Sequence, residues 1–160
     1  YKALNTAFNI DGPKCVRFPR GVSHMEKFIT DDVIEIGKAN IVRDGTDIAI
    51  FSFGSLLDEA LEAGESLNAT VIDMRFIKPL DEKLIFTISK SHSKLISIED
   101  NASAGGAGSA INELLQQNGI KTPLSIVGLP DTFSEHGSQE ELYDLYGLNA
   151  KNLINIANQK

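Results

Sequence analysis

A chain of 160 residues with an apolar share of 42% can bury one sizeable core. Its formal net charge of -7 works against nucleic-acid partners, which need a basic face, and no basic helix or apolar run of about 20 residues points to a membrane. Cys15 is the single cysteine, so an internal disulfide is excluded and a reducing compartment is expected.

The chain begins at Tyr1 inside an amphipathic stretch, YKALNTAFNI, that reads as a helix, with no charged-then-apolar leader before it. The expectation is a piece of a longer protein; a processed start is the other reading. Asp11-Gly12-Pro13 breaks the helix. Lys14 to Phe18 alternates and contains valine and phenylalanine, which predicts a strand with Cys15 packed in it and Pro19 as its end. Residues 22–38 are mixed and mostly polar and read as a linker.

From residue 39 the organisation is clearer. Asp44-Gly45 lies between two β-rich runs, the sequence signal of a two-residue hairpin, so residues 39–43 are predicted to pair antiparallel with 47–53. SLLDEALEAGESL then places Leu56, Leu57, Ala60, Leu61, Gly64 and Leu67 on one helical face. Residues 69–76 read as a strand. Residues 80–90 read as a helix with Asp81 and Glu82 at the end where the helix dipole favours negative charge.

KLISIED is the next strand. It is followed by a helix with Ile111, Leu114 and Leu115 inward and Gly119 at its C-terminal cap, and then by the strand LSIVGLP. Ser138 with Glu141 forms a capping box that opens a helix through Tyr146. Asn149 caps the last helix, with Leu148 and Leu153 as its hydrophobic staple. Strand and helix alternating at this spacing predicts an α/β fold, a three-layer α/β/α arrangement around a mostly parallel five-stranded sheet with one antiparallel edge strand.

Ligands of such sheets collect beyond the carboxyl ends of the strands. Here those ends are Gly54-Ser55, Arg75 to Pro79, Glu99 to Gly108 and Gly128 to Gly137. The glycine-rich run 104–108 admits two readings, an anion cradle at a helix N-terminus or a joint that lets a helix pack closely on the sheet. It lacks the G-x-G-x-x-G fingerprint and the Walker lysine, and Glu99-Asp100 would repel a phosphate, so the joint is preferred. The same acidic pair is a weak candidate for a hard metal ion, and ordinary solvated or ion-paired carboxylates carry more weight.

His24, His92 and His136 show no metal-ligand spacing, and no metal ligand is assigned. His92 is expected at the surface. His136, beside Glu135 at a strand end, is the histidine best placed to line a site, although an ordinary loop histidine is the heavier reading. Arg17 and Arg20 surround a proline in RFPRG. A guanidinium fork suits phosphate or carboxylate, and spacing alone leaves that reading level with surface ion pairing.

RFPRG, IGKANIVRDG, LNATVIDMRFIKPLDE, ISIEDNASAGGAGSAINELL and GLPDTFSEHGSQEELYDLYGL occur in the order found in the C-terminal part of 1-deoxy-D-xylulose-5-phosphate synthases. The chain resembles that family over nearly its whole length. Phe18 stands where tyrosine is common and Ala104 where many relatives carry a larger apolar residue. The resemblance implies that residues 1–21 end a pyrimidine-binding domain, that 22–38 are a linker, and that 39–160 are a transketolase C-terminal domain.

It further implies an enzyme that uses thiamine diphosphate and Mg²⁺ to join pyruvate, after decarboxylation, to glyceraldehyde 3-phosphate. By that resemblance the protein is a homodimer in the bacterial cytoplasm, or in the plastid stroma of a plant. Arg20 matches the arginine that holds the aldehyde's phosphate; no catalytic residue falls in the chain. The family's Gly-Asp-Gly cofactor motif does not occur here, and its catalytic glutamate belongs upstream of Tyr1, so the fragment is expected to be inactive by itself. Two other functions were weighed: a non-catalytic anion-binding or protein-docking module, and the β-subunit tail of a 2-oxo-acid dehydrogenase.

Overall fold

The computed structural model describes residues 2–16 and 31–159. Helix α1, Lys2–Phe8, ends before Asp11-Gly12-Pro13. It is tied to residues 32–34: the Ile34 amide donates to Thr6 Oγ1 at 2.7 Å, and Lys2 pairs with Asp32 at 3.0 Å. The strand expected over Lys14 to Phe18 is not formed by its described part. Residues 14–16 are irregular and exposed, with no strand beside them among the described residues, and Cys15 is exposed rather than packed. Arg17 and Phe18 lie outside the described residues.

The main body follows the alternation. Strand β1 is Asn40–Arg43 and β2 is Ile48–Phe53. A single 3₁₀ turn, Gly54–Leu56, leads into α2, Leu57–Leu67. Then come β3, Thr70–Asp73; α3, Glu82–Ser91; β4, Lys94–Ala102; and α4, Ala107–Gln117. Strand β5, Leu124–Leu129, is followed by α5, Gln139–Tyr146, and α6, Ala150–Asn158. The sheet has five strands in the order β1-β3-β2-β4-β5, with β2 through β5 parallel and β1 antiparallel on one edge.

The edge strand is therefore antiparallel as expected, but its partner is not. Residues 40–43 pair with β3, Asn40 opposite Asp73 and Ile41 opposite Ile72, and not with 47–53. A type I′ hairpin needs positive φ at both corner residues. Neither Asp44 nor Gly45 has it; the left-handed residue is Asp47, at φ 60°. Gly45 serves close approach instead. A Cβ there would strike the backbone of Asn68 and Ala69, where the chain enters β3. The Gly45 amide donates to Thr70 Oγ1 at 3.1 Å and the Thr46 amide to Asn68 O at 2.8 Å, which stitches this loop to β3.

Thr70 in turn bonds His92 Nε2 at 2.9 Å, while His92 Nδ1 lies 3.0 Å from Ile88 O. Since a carbonyl only accepts, Nδ1 carries the proton, and Nε2 accepts from the Thr70 hydroxyl. His92 is thus a half-buried cap between α3 and β3, not a free surface residue.

Alternation along the strands divides the core in two. Ile50, Val71, Ile96, Ile98 and Val127 face α2 and α6, meeting Leu56, Ala60, Ala63 and Leu153. Ala49, Phe51, Ile72, Met74 and Leu95 face α3 and α4, meeting Ile85, Ile88, Ile111 and Leu115. Both faces are covered, which is why β2 reads as an almost unbroken apolar run.

Leu148 and Leu153 are both fully buried, completing the staple at the start of α6. The other end of α6 is closed by Lys94. Its ammonium donates to the carbonyls of Ile156, Ala157 and Gln159 at 2.7, 3.0 and 2.7 Å, a cation where the dipole wants one.

Substituting Gly45→Ala is expected to lower stability by about 1–3 kcal/mol through overpacking against β3. Asp44→Ala, at the other supposed hairpin corner, is expected to change it by less than about 0.5 kcal/mol. Urea midpoints at unchanged slope measure both; equal costs would restore the hairpin reading.

Candidate functional site

From β2 the chain crosses one way, through α2, to β3; it then crosses back past β2, through α3 on the other face, to β4. The crossovers part between the carboxyl ends of β2 and β4, the place where open α/β sheets form their crevice. An open cavity of about 830 Å³ lies there. Phe53, Gly54 and Ser55 contribute from the end of β2, and Glu99, Asp100 and Asn101 from β4. Arg75 and Ile77 follow β3, Leu129 and Ser134 belong to the end of β5 and its loop, and Tyr143 and Tyr146 reach in from α5.

Glu99 decides what the glycine-rich run does. It is 2% exposed and turns under the first turn of α4. The Ala107 amide donates to Oε2 at 2.7 Å and the Gly108 amide to Oε1 at 2.8 Å. The carboxylate occupies the position a phosphate takes in a nucleotide-binding loop. The glycines make this fit possible. A Cβ on Gly106 would collide with the carboxylate and with Ala102 O, and one on Gly108 with Ser97 Oγ and Ile126. The run is thus a close joint whose anion is built into the chain. No incoming phosphate can use that helix end without expelling Glu99.

Other helix starts of the main body also carry acids, although α2 has no side-chain cap of its own. Asp58 and Glu59 sit in the first turn of α2. Asp81 accepts from the Leu84 amide at 3.2 Å, and Glu59 accepts from the Ala150 amide at 2.7 Å. At α5 the Ser138 amide donates to Glu141 at 2.8 Å. That bond, with the Ser138 hydroxyl, holds the Glu141 carboxyl below the usual carboxylate range.

Tyr143 organises the cavity floor. Its hydroxyl donates to Asp100 Oδ2 at 2.9 Å and accepts from Gln139 Nε2 at 2.7 Å, with Ser55 Oγ at 3.1 Å. These bonds join α5 to the ends of β2 and β4. Partial burial pushes the phenol above its ordinary value; hydrogen bonds from Ser55 and Gln139 pull it down, and the Asp100 carboxylate raises it again. Arg75 is left-handed at φ 56°, a conformation that costs a residue with a Cβ about 1–2 kcal/mol. Asp73 holds it there, receiving the Arg75 amide and Nε, each at 3.3 Å.

Of the residues singled out in the sequence, Glu99 and Asp100 do not act as a metal pair. Strand alternation sends Glu99 to α4 and Asp100 to Tyr143. Glu135 and His136 are exposed in the stretch leading to α5 and do not line the cavity, although the neighbouring Ser134 does. Arg20, Arg17 and His24 lie outside the described residues. Tyr143 and Gln139 were missed. Their only signal was position, four residues apart on a helix that starts at a recognisable capping box.

Among the described residues no group of three or more His, Cys, Asp or Glu could hold a metal ion, and no helix is long and apolar enough to cross a membrane. Thiamine diphosphate and Mg²⁺ do not fit these residues. The one glycine-rich helix end is filled by Glu99, and the strand ends carry acids where a diphosphate needs donors.

The family described as Transketolase, C-terminal domain matches residues 37–153. The chain belongs to the transketolase C-terminal domain family.

Relatives of this domain include the 1-deoxy-D-xylulose-5-phosphate synthases of Thioalkalivibrio sulfidiphilus, 46% identical over 154 residues, and Vibrio campbellii, 48% identical over 153. Those matches cover 96% and 94% of the chain but 24% of each relative, so the chain spans about a quarter of their length. A solved split gene transketolase, described as an inactive β4 tetramer, superposes at TM-score 0.74 with 30% identity. It covers 82% of this chain and 44% of its own. Transketolase from Campylobacter jejuni shares the fold at TM-score 0.56 and 19% identity, over 78% of this chain and 19% of its own.

Two measurements test the domain's site. Glu99→Gln is expected to cost about 1.5–3 kcal/mol in denaturant unfolding, since one amide of α4 then faces an NH₂ instead of a carboxylate oxygen. A change below about 0.5 kcal/mol would show that the helix end does not depend on the charge. For Tyr143 the sign follows from its raised value: above pH 10 the unfolded chain loses a phenolic proton that the folded chain keeps, so stability falls as pH rises through that window. Absorbance titration should place one tyrosine above the others. Tyr143→Phe should remove that phase, and Asp100→Asn should shift it down.

Proposed function

We propose that the chain is the C-terminal portion of a 1-deoxy-D-xylulose-5-phosphate synthase. This transferase joins pyruvate, with loss of CO₂, to glyceraldehyde 3-phosphate, and depends on thiamine diphosphate and Mg²⁺. The observation that carries the reading is the match of 46% identity over 154 residues, 96% of the chain, which extends well beyond the residues of the C-terminal domain family, 37–153. Residues 1–21 then close the pyrimidine-binding domain, 22–38 link it, and 39–160 form the C-terminal domain.

Arg20 is the residue that meets a substrate. Its guanidinium fork takes the phosphate of the aldehyde, far from the bond being made. Binding energy from that remote group orients the aldehyde carbon towards its reaction partner. Glu135 and His136, exposed near the strand ends, are secondary candidates to line the site. The C-terminal domain serves assembly rather than chemistry. The cofactor belongs to the remainder of the longer protein, because the glycine-rich helix end here is filled by Glu99. We further take the protein to be a homodimer in the bacterial cytoplasm; the relatives named above, which are bacterial, bear only on the source.

In the longer protein, Arg20→Ala is expected to raise KM for glyceraldehyde 3-phosphate at least about tenfold, or ~1.4 kcal/mol, with a smaller effect on KM for pyruvate. The same assay on residues 1–160 alone gives no turnover. An unchanged KM removes Arg20 from the site, and turnover by the bare chain overturns the reading.

A further inference from the structure

The switch-point cavity is lined by both apolar and polar residues. Ile77 lines it and is 50% exposed; Phe133, which precedes the lining Ser134 in sequence, is 105% exposed. Single exposed apolar residues are ordinary, but here one lines the cavity and the other adjoins a lining residue, so a single occupant can cover both. The floor is fixed: Ser55, Gln139 and Asp100 all bond Tyr143. Around it the charge is negative. Asp131, Glu135 and Glu140 are exposed and flank the lining Ser134 and Gln139 in sequence, and the cavity's own cation, Arg75, is already paired with Asp73.

These features select among occupants. An anion meets acids at the nearby helix starts, since Glu99 and Glu141 occupy those of α4 and α5 and Asp58 and Glu59 stand in the first turn of α2. A small molecule within the cavity would leave Phe133 uncovered. A second copy of the same face would set acid against acid. What fits is a polypeptide segment with a cation flanked by apolar residues. About three quarters of the length of the relatives lies outside this chain. We propose that the cavity receives a segment of the preceding portion of the longer polypeptide, with a lysine or arginine against Asp100 and apolar neighbours over Phe133 and Ile77. This rests on the reading that the chain is the C-terminal portion of the synthase.

Hydroxyl-radical footprinting with mass-spectrometric readout tests it on the longer protein and on residues 1–160. Phe133 and Ile77 should be oxidised at least about tenfold more slowly in the longer protein. Equal rates overturn the proposal. So does protection that grows with protein concentration, which assigns the cover to a second copy, and so does protection that needs an added small molecule. Within the longer protein alone, Phe133→Ser should raise oxidation of Ile77 at least about threefold, and an unchanged rate counts against docking. Condensation of pyruvate with glyceraldehyde 3-phosphate is assayed on the same samples. An active protein with unprotected Phe133 rejects the docking only, while an inactive one with protected Phe133 rejects the synthase reading only.

Discussion

The carboxylate of Glu99 under the first turn of α4 is the interaction on which the arrangement turns. Moving an ionised carboxyl into a site 2% exposed is costly unless donors replace its water. Two backbone amides do so, and they are the groups a helix leaves unpaired at its start. The pairing works only at short range, which requires Gly106 and Gly108 without side chains. It also sets the height of α4 over β4 and β5 and delivers Ile111 and Leu115 into the lower core. One residue thereby fixes a helix, explains two glycines and closes the place where a parallel sheet most readily binds a phosphate.

The rest of the body repeats that economy of charge. Acids stand at the starts of α2, α3 and α5, Glu59 and Asn149 serve α6, and Lys94 closes its end. Part of the acidic excess of the chain therefore sits at helix starts, where the dipole favours it. Tyr143 extends the same logic across the strand ends. Its proton goes to Asp100 and its lone pairs take Gln139 and Ser55, so α5 is held by polar bonds where apolar packing is thin.

Much of this was legible in the sequence because local chemistry and global fold agree there. The capping box at Ser138, the staple of Leu148 and Leu153, and the apolar face of Leu56, Ala60 and Gly64 each reappear in place. What failed did so for identifiable reasons. Asp44-Gly45 carries the signal of a positive-φ corner, yet glycine also serves where two backbones nearly touch, and only the sheet tells which need applies. Lys14 to Val16 has a strand's alternation, but β-propensity expresses itself only against a neighbour. The site was half legible. The strand ends and the acidic pair were visible, whereas the opposite directions of Glu99 and Asp100 depend on which helix lies over each face.

A sheet with a switch-point crevice and a glycine-rich helix start has the geometry of a nucleotide-binding domain, and this one has disabled it from within. Restoring phosphate binding would require removing Glu99, which would also loosen α4. The site is therefore not a degraded cradle that drift could reopen; the anion that blocks it is the one that holds the fold. With phosphate binding at that helix end blocked, the features left at the strand ends are an exposed Phe133, exposed acids and a set of hydrogen bonds centred on Tyr143, which are the features the proposed docking uses. Arg20, the residue proposed above to take the aldehyde's phosphate, precedes this domain in the sequence. On that proposal the domain's acids serve its own helices and the contact with an anionic substrate is left to the preceding part.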